Sequence, residues 1–167
     1  MNATPHLRRA VIGGGSGYLG TALARALRVD GYEVRTIGRS GADARWDDPA
    51  GVLRLVDGAD LVIGLAGRRI DCRYTDRNRD EILRSRVRTT QALHRAVTAA
   101  AAPPAVWMNA SSATAYRYSL VSPRTEADPR DEKGFSPDVT REWEAALFAG
   151  DTPGTRRIAL RTSLVLG

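Results

Sequence analysis

The sequence predicts one α/β domain, with a doubly wound, mostly parallel β-sheet and helices on both of its faces. Apolar runs of strand length alternate with helical patterns along the 167 residues, the run Ala10-Val11-Ile12 is apolar throughout, and a glycine-rich turn follows that run. Strands in β-α-β order form parallel sheets with right-handed crossovers. Because ligands bind such sheets at the carboxyl ends of the strands, we expect the functional site on the loops that follow them.

The predicted elements are bounded by turn residues and cover most of the chain. Strands are predicted near Arg8–Gly13, Glu33–Ile37, Ala44–Trp46, Asp60–Leu65, Ala105–Asn109 and Arg157–Leu164. Helices are predicted near Tyr18–Val29, Pro49–Val56, Asp76–Ala101 and Pro137–Ala149. A chain of this length buries about 70% of the surface that its unfolded form exposes, which is enough for a single core.

The last two helices carry residues that we interpret as packing and capping the helices rather than as taking part in catalysis or binding. The buried face of the longest helix is predicted to be Leu83, Val87, Thr90, Leu93 and Val97. Ser136 is predicted to be the N-cap of the last helix and Pro137 its first residue. The segment Tyr116–Gly134 has no periodicity, so we expect a long loop over the site.

The glycine-rich turn is the most informative motif of the chain. Gly14, Gly17 and Gly20 stand three residues apart between the first strand and the first helix. Glycine lets the backbone approach a diphosphate, whose charge then lies at the N–H groups and positive dipole of the helix. The context predicts a Rossmann-type dinucleotide site, with an ordinary turn as the alternative. Thr21 excludes a Walker A loop, and Tyr18 excludes a Gly-x-Ser-x-Gly elbow.

The composition limits the classes of partner. The net charge is +6, and Lys133 is the only lysine among 25 basic residues. Nine arginines lie between Arg68 and Arg95, but no nucleic-acid recognition motif accompanies them, so nucleic-acid binding is not expected. The single Cys72 forms no intramolecular disulfide, and no leader pattern or apolar stretch of about 18 residues is visible. We therefore expect a cytoplasmic protein without a membrane partner or a metal site.

Six motifs follow one another along nearly the whole chain. They are Val11–Gly20, Asp60–Gly67, Ile82–Val87, Ser111–Tyr116, Arg141–Glu144 and Leu160–Gly167. In this order they resemble the short-chain dehydrogenase/reductase superfamily, and within it the atypical extended, nucleoside-diphosphate-sugar-epimerase-like branch of "epimerase family" proteins. Members of this branch continue beyond the last motif into a substrate-binding lobe. The resemblance thus implies that residues 1–167 are the NAD(P)-binding domain and that the substrate lobe is absent from this chain.

The resemblance also implies a cofactor site around the glycine-rich turn. Its residues would be Gly14, Gly17, Tyr18, Leu19 and Gly20 at the pyrophosphate, Leu65, Ala66 and Gly67 on the adenosine side, and Asp47 near the adenine. The residue after the second strand selects the cofactor, because NAD needs a carboxylate there for its ribose hydroxyls. Arg39 and Ser40 instead offer a cation and a hydroxyl for a 2′-phosphate, which favours NADP over NAD. A solvated turn arginine is the alternative for Arg39.

The catalytic set implied by the resemblance is incomplete. Ser112 matches the superfamily's active-site serine, which hydrogen-bonds a substrate oxygen beside the nicotinamide; a serine that caps the strand end is the alternative. Reductases of the superfamily move a proton with a Tyr-x-x-x-Lys pair, and no tyrosine of this chain has a lysine four residues later. Phe135 and Val139 take the positions of that pair. Tyr116 and Tyr118, just beyond Ser112, are the remaining candidates for the acid.

These observations leave two functions open. The first is the NADP(H)-binding domain of an epimerase or oxidoreductase that acts on an unknown small-molecule substrate. The second is a non-catalytic protein that senses or carries NADP(H). Arg86 takes the position of the superfamily's helix asparagine, a departure that this branch commonly shares. Extended relatives pair through two corresponding helices, so Asp76–Ala101 and Pro137–Ala149 are expected to support a homodimer.

Overall fold

The computed structural model describes residues 7–163 and residue 165, and every predicted strand and helix is present there. The strands are β1 (Arg9–Gly13), β2 (Glu33–Gly38), β3 (Ala44–Arg45), β4 (Leu61–Gly64), β5 (Val106–Ser112) and β6 (Arg156–Thr162). The helices are α1 (Tyr18–Val29), α2 (Pro49–Val56), α3 (Asp76–Ala99) and α4 (Phe135–Phe148). One turn of 3-10 helix, Ala113–Ala115, follows β5.

The strands of the described residues form one sheet in the order β3-β2-β1-β4-β5-β6, and every neighbouring pair is parallel. The chain first moves outward from β1 to β3, then crosses to the other side of β1 and continues to β6. The order therefore reverses between β1 and β4, and ligands of such sheets bind at this reversal, beyond the carboxyl ends of the strands. This topology confirms the predicted Rossmann-type doubly wound α/β fold.

Apolar side chains fill both faces of the sheet, because neighbouring residues of a strand point to opposite sides. Val11 and Val62 lie on one face, in a cluster that includes Leu93 of α3. Ile12 lies on the other face, where it packs with Ala24 of α1. Helices thus cover both faces, as predicted, and the carboxyl edge of the sheet is held on a rigid scaffold.

β5 is longer than the sequence predicts. We expected it to end at Asn109, but it stays paired with β6 as far as the register pair of Ser112 and Thr162. This pairing joins segments that are distant in the sequence, and it carries Ser112 to the carboxyl edge of the sheet. The predicted last strand is present up to Thr162, and Leu164 lies outside the described residues.

The start of α4 differs from the prediction. The helix begins at Phe135, with Gly134 at the N-cap position and no side-chain cap, so the assignment of Ser136 as N-cap and Pro137 as first helical residue is wrong. Gly134 has a φ of +124°, which glycine tolerates and other residues avoid. Pro137 lies inside the first turn, where its missing N–H has no helical partner to lose.

The packing face of α3 agrees with the predicted stripe only in its second half. Thr90, Leu93 and Val97 are buried as predicted, whereas Leu83 and Val87 are half-buried. The residues of α3 in the core cluster under the sheet all come from this second half of the helix. The first half of α3 therefore extends beyond the core toward the loops at the carboxyl edge.

Candidate functional site

A cleft of about 550 Å³ opens at the reversal of the strand order. Its walls come from the turn after β1, the loop after β4, the first half of α3, the end of β5 and the start of α4. The cleft therefore lies where the topology predicts a ligand, on loops that follow the carboxyl ends of the central strands. Five of the predicted cofactor residues, Gly14, Gly17, Tyr18, Leu19 and Gly20, line it together.

Two glycines of the turn are required by its geometry. Gly14 has a φ of +86°, and a Cβ atom there would lie 2.9 Å from the backbone nitrogen of Ala66. A Cβ atom on Gly20 would lie 2.5 Å from the carbonyl oxygen of Gly14. The Gly14 N–H also donates to the carbonyl of Ile37 at 2.8 Å, which ties the turn to β2. The turn is thus packed tightly from behind, so any larger residue at these two positions strains it.

Gly17 differs from its two neighbours in the motif. It is exposed at the cleft, has a φ of −76°, and a Cβ atom there would meet only the Gly14 carbonyl oxygen, at 3.4 Å. Gly17 occupies the N-cap of α1, and no side chain caps the helix there. The first N–H groups of α1 therefore lack an intrahelical partner, and the residues that carry them line the cleft. This arrangement suits an anion, because the helix N-terminus carries a partial positive charge.

The predicted residues after β4 form the opposite wall of this part of the cleft. Leu65 and Gly67 line it, and the Leu65 N–H donates to the carbonyl of Gly13 at 2.8 Å. Ala66 lies against Gly14, so the loop after β4 is packed on the glycine turn. Among the described residues, Ala66 thus contacts the turn rather than the cleft itself.

The residues predicted to select the cofactor lie beyond the ends of β2 and β3. Arg39 and Ser40 are exposed, and within the described part of the chain Arg39 has no ion pair. Asp47 is exposed, and its carboxylate accepts two hydrogen bonds from Arg45, at 2.9 and 2.7 Å. Those bonds hold the pKa of Asp47 below its usual value. Arg39 is therefore available to a ligand, whereas Asp47 would have to give up Arg45 to reach an adenine.

Ser112 ends β5 and lines the cleft. Its Oγ accepts hydrogen bonds from the N–H of Thr114 at 3.2 Å and from the Thr114 hydroxyl at 3.0 Å. Ser112 thus caps the 3-10 turn and borders the cleft at the same time. Its own O–H remains able to donate to a ligand oxygen, because both of these bonds use Ser112 only as acceptor.

The tyrosines proposed as acids do not line the cleft. The Tyr116 hydroxyl accepts a hydrogen bond from Arg161, and the Arg161 guanidinium lies 5.2 Å from the Tyr116 ring centre. Tyr118 is 80% exposed on the long loop. Phe135 and Val139, which the resemblance places at the positions of the usual proton-transfer pair, are both apolar side chains that line the cleft. Tyr116 and Tyr118 therefore need a change of position to reach a bound ligand.

A buried carboxylate beside the cleft was missed by the sequence analysis. Glu144 of α4 accepts hydrogen bonds from Ser111 at 2.5 Å, from Arg161 at 2.7 and 2.8 Å, and from Arg130 at 2.8 Å. Burial works to raise the pKa of Glu144, but the bonds from Arg161 and Ser111 outweigh it, so the pKa lies below its usual value. The cluster joins α4 to β5, β6 and the long loop.

Spacing along α4 could have drawn attention to Glu144. Thr140, Trp143 and Leu147 are buried on one face of the helix, and Glu144 falls on that same face at helical spacing. A carboxylate on a buried helix face needs a cationic or hydrogen-bonding partner. The sequence alone could not identify this partner, because Arg161 lies on a different element, β6.

Two kinds of site are not found within residues 7–163. No three side chains of His, Cys, Asp or Glu lie together in the way that a metal ion would require. No helix in this part of the chain is both long and apolar enough to cross a membrane.

The fold and the glycine-lined cleft at its strand reversal define a Rossmann-type domain of the kind found in nucleotide-binding enzymes. Residues 10–137 match the family described as the NAD dependent epimerase/dehydratase family. The chain belongs to this family, which agrees with the resemblance noted from its motifs.

Individual relatives are similar over nearly the whole chain. The epimerase family protein SDR39U1 of Bos taurus is 35% identical over 167 residues, which are 95% of this chain and 55% of that protein. A crystal structure of human SDR39U1 (isoform 2) with NADPH matches with a TM-score of 0.84 and 33% identity, over 95% of this chain and 55% of the human one. A nucleoside-diphosphate sugar epimerase from Corynebacterium glutamicum matches with a TM-score of 0.74 and 28% identity, over 92% and 33% of the two chains. The chain thus spans about half the length of the curated relatives it matches.

Proposed function

We propose that this chain is the NADP(H)-binding part of an epimerase- or oxidoreductase-like protein that acts on a small molecule. The observation that carries the proposal is the uncapped N-terminus of α1, which borders the cleft directly behind the glycine turn. The human relative whose structure contains NADPH supports the same assignment at 33% identity. NADP(H) would supply or accept a hydride in this cleft.

The residues of the cleft fit a dinucleotide. Gly17 presents an open surface and Gly14 a tight turn, so a pyrophosphate can approach the N–H groups of α1 without meeting a side chain. Leu65 and Gly67 offer an apolar wall for the adjoining ribose. Tyr18 and Leu19 are 66% and 38% exposed, and a bound dinucleotide would cover part of this apolar surface.

The preference for NADP over NAD rests on Arg39. A neighbouring arginine, Arg35, is occupied by Glu33 and Asp43, whereas within the described residues Arg39 has no carboxylate partner. An arginine without a partner at the end of β2 can form two parallel hydrogen bonds to a 2′-phosphate. No carboxylate stands between residues 34 and 40 to hold the ribose hydroxyls of NAD.

Calorimetric titration with NADPH and with NADH tests this proposal. We expect NADPH to bind more tightly, and Arg39→Asp to lower the ratio of the two affinities by about tenfold or more, because a charge-assisted phosphate contact is worth roughly 1.5–3 kcal/mol. Arg25→Asp makes the same charge change on the exposed side of α1 and should leave the ratio unchanged. If Arg39→Asp and Arg25→Asp behave alike, Arg39 does not select the cofactor.

A second candidate function is a non-catalytic sensor or carrier of NADP(H). It is favoured by Phe135 and Val139, which line the cleft where a proton-transfer pair would stand and have no proton to give. Tyr116 adds to this argument, because its hydroxyl is already engaged by Arg161. Turnover in the presence of NADPH separates the two functions.

We also propose a homodimer through α3 and α4 and a cytoplasmic location. The two helices pack beside each other, since Trp143 of α4 donates a hydrogen bond to Thr90 of α3 at 2.9 Å. Leu83 and Val87 leave apolar surface half-exposed on the outer part of α3. Sedimentation should show a dimer that Leu83→Glu weakens. A monomer at high protein concentration would contradict the proposed dimer. Cell fractionation tests the proposed cytoplasmic location.

A further inference from the structure

We propose that Arg86 anchors an oxyanion, a carboxylate or a phosphate, on the substrate that binds in the cleft. The inference deepens the proposed function and rests on it, since it assigns a chemical class to the ligand that would meet the cofactor. Arg86 lies on the first half of α3 and lines the cleft. The resemblance gives this position to an asparagine in most of the superfamily, so Arg86 brings a cation to this wall of the cleft.

The Arg86 guanidinium is held in one place. Its Nη1 donates to the carbonyl oxygens of Ile82 at 3.0 Å and of Arg68 at 3.1 Å. Its central carbon lies 5.1 Å from the ring centre of Trp143, and Gly67 is so close that a Cβ atom there would lie 3.2 Å from the Arg86 side chain. Trp143 is itself fixed by its bond to Thr90. A cation oriented in this way loses little entropy when it binds a ligand.

Arg86 also lacks the neutralising partner that other arginines have. Arg69, which also lines the cleft, forms an ion pair with Asp71 at 2.6 Å. Arg84, two residues before Arg86 on α3, forms an ion pair with Asp80 at 2.7 Å. Within the described residues no carboxylate pairs with Arg86, whose hydrogen bonds go to carbonyl oxygens. The remaining N–H groups of its guanidinium are therefore left for a ligand.

The energetic consequence is a site that favours an anion. Burial lowers the pKa of the Arg86 guanidinium from its usual value, and Tyr74 offsets this only in part. The group nevertheless keeps its proton at neutral pH, because an arginine is not deprotonated in proteins. A half-buried cation without a counter-charge has a desolvation cost that a bound anion would offset further.

The surroundings of Arg86 indicate the shape of the ligand. The wall next to it is mainly apolar and includes the rings of Tyr74 and Phe135, which pack edge to face with their ring centres 5.3 Å apart. Val139 and Trp143 continue this wall on α4. Because Arg86 contacts Trp143 of α4, whereas the proposed pyrophosphate site lies at the start of α1, its anion would lie on the α4 side of the cleft. A flat or apolar body that carries one oxyanion fits both features.

Titration with small probes tests this proposal. We expect benzoate and phenyl phosphate to bind, with and without saturating NADPH, and benzamide, the uncharged analogue of benzoate, to bind at least about tenfold more weakly. Arg86→Gln should weaken both anions by a similar factor and leave the NADPH affinity within about twofold. Arg88→Gln removes an exposed cation two residues further along α3 and is the matched control.

Thermal melting separates an anion site from a packing role. Arg86→Met keeps apolar volume and removes the uncompensated charge, so its melting temperature without ligand should equal or exceed that of the wild type. A lower melting temperature with undiminished benzoate binding would overturn the proposal. So would competition between benzoate and NADPH, because the anion would then be a cofactor phosphate. Failure of NADPH to bind would instead remove the proposed function, and titration without NADPH would still report on Arg86.

Discussion

The carboxylate of Glu144 accepts two parallel hydrogen bonds from one edge of the Arg161 guanidinium, with Nε at 2.7 Å from Oε1 and Nη2 at 2.8 Å from Oε2. Their side chains are only 6% and 17% exposed, so the pair lies largely out of solvent. Ser111 donates to the same carboxylate from β5. Three elements that end at the cleft are therefore held by one charged cluster.

Loss of the carboxylate should destabilise the fold. Glu144→Gln leaves Arg161 buried without its counter-charge, and we expect the free energy of unfolding at pH 7 to fall by about 3–5 kcal/mol. Glu144→Gln combined with Arg161→Met removes both charges and should recover much of this loss. Urea denaturation gives the free energy of unfolding of the wild type, of the single variant and of the double variant. Equal destabilisation by the single and the double variant would contradict the view that an uncompensated charge causes the loss.

The same cluster should make stability sensitive to acid. The folded pKa of Glu144 lies below its unfolded value, so its contribution is fully present above the unfolded pKa, near pH 4.3, and is lost as the pH falls through the folded pKa. The stability difference between wild type and Glu144→Gln should therefore shrink below about pH 4. Glu142→Gln, on the exposed side of α4, is the control. A difference that stays constant down to pH 3 would refute the assignment.

Turnover should be low even when the cleft holds NADPH. Phe135 and Val139 supply no proton, and loss of a general acid costs about 10²–10⁴ in rate. We expect no more than slow oxidation of NADPH with a panel of carbonyl compounds and sugar nucleotides, measured by its absorbance. Rapid turnover that Ser112→Ala abolishes would show that Ser112 acts on substrate and would exclude the carrier function.

Gly20 should matter for stability. A Cβ atom at Gly20 would lie 2.5 Å from the Gly14 carbonyl oxygen, so Gly20→Ala must push the turn and α1 apart. We expect a loss of about 1–3 kcal/mol in the free energy of unfolding, as for other overpacked sites. Chemical denaturation checks this value. An unchanged stability would mean that the turn relaxes freely around an added methyl group.

Local patterns were sufficient for the fold and for one side of the site. The apolar run of β1 and the spacing of Gly14, Gly17 and Gly20 predicted the turn that lines the cleft, and the β-α-β order of the elements predicted the doubly wound sheet. These signals are short-range, because the turn geometry depends on a few consecutive residues. Ser112, which the resemblance makes a candidate for catalysis, lies at the cleft, although β5 was expected to end before it.

The features that the sequence did not predict depend on contacts between distant segments. β5 continues to Ser112 because β6 pairs with it, and no local sequence pattern near Asn109 predicts this pairing. Glu144 was taken as part of a family motif on a scaffold helix, and its bonds to Arg161 and Ser111 appear only when three elements meet. The unpaired state of Arg86 likewise depends on where the carboxylates of other elements lie.

Titration of Gly17→Val with NADPH tests the central claim most directly, because it changes the proposed pyrophosphate surface at a position where the fold has room. A Cβ atom at Gly17 meets only the Gly14 carbonyl oxygen at 3.4 Å, so the variant should fold with a melting temperature close to that of the wild type. We predict that its NADPH affinity falls by about tenfold or more, as expected when charge-assisted hydrogen bonds to the pyrophosphate are blocked. Ala50→Val, at an exposed position of α2, should bind like the wild type. Undiminished NADPH binding by a folded Gly17→Val protein would contradict the account, since the cofactor could not then lie on the glycine turn.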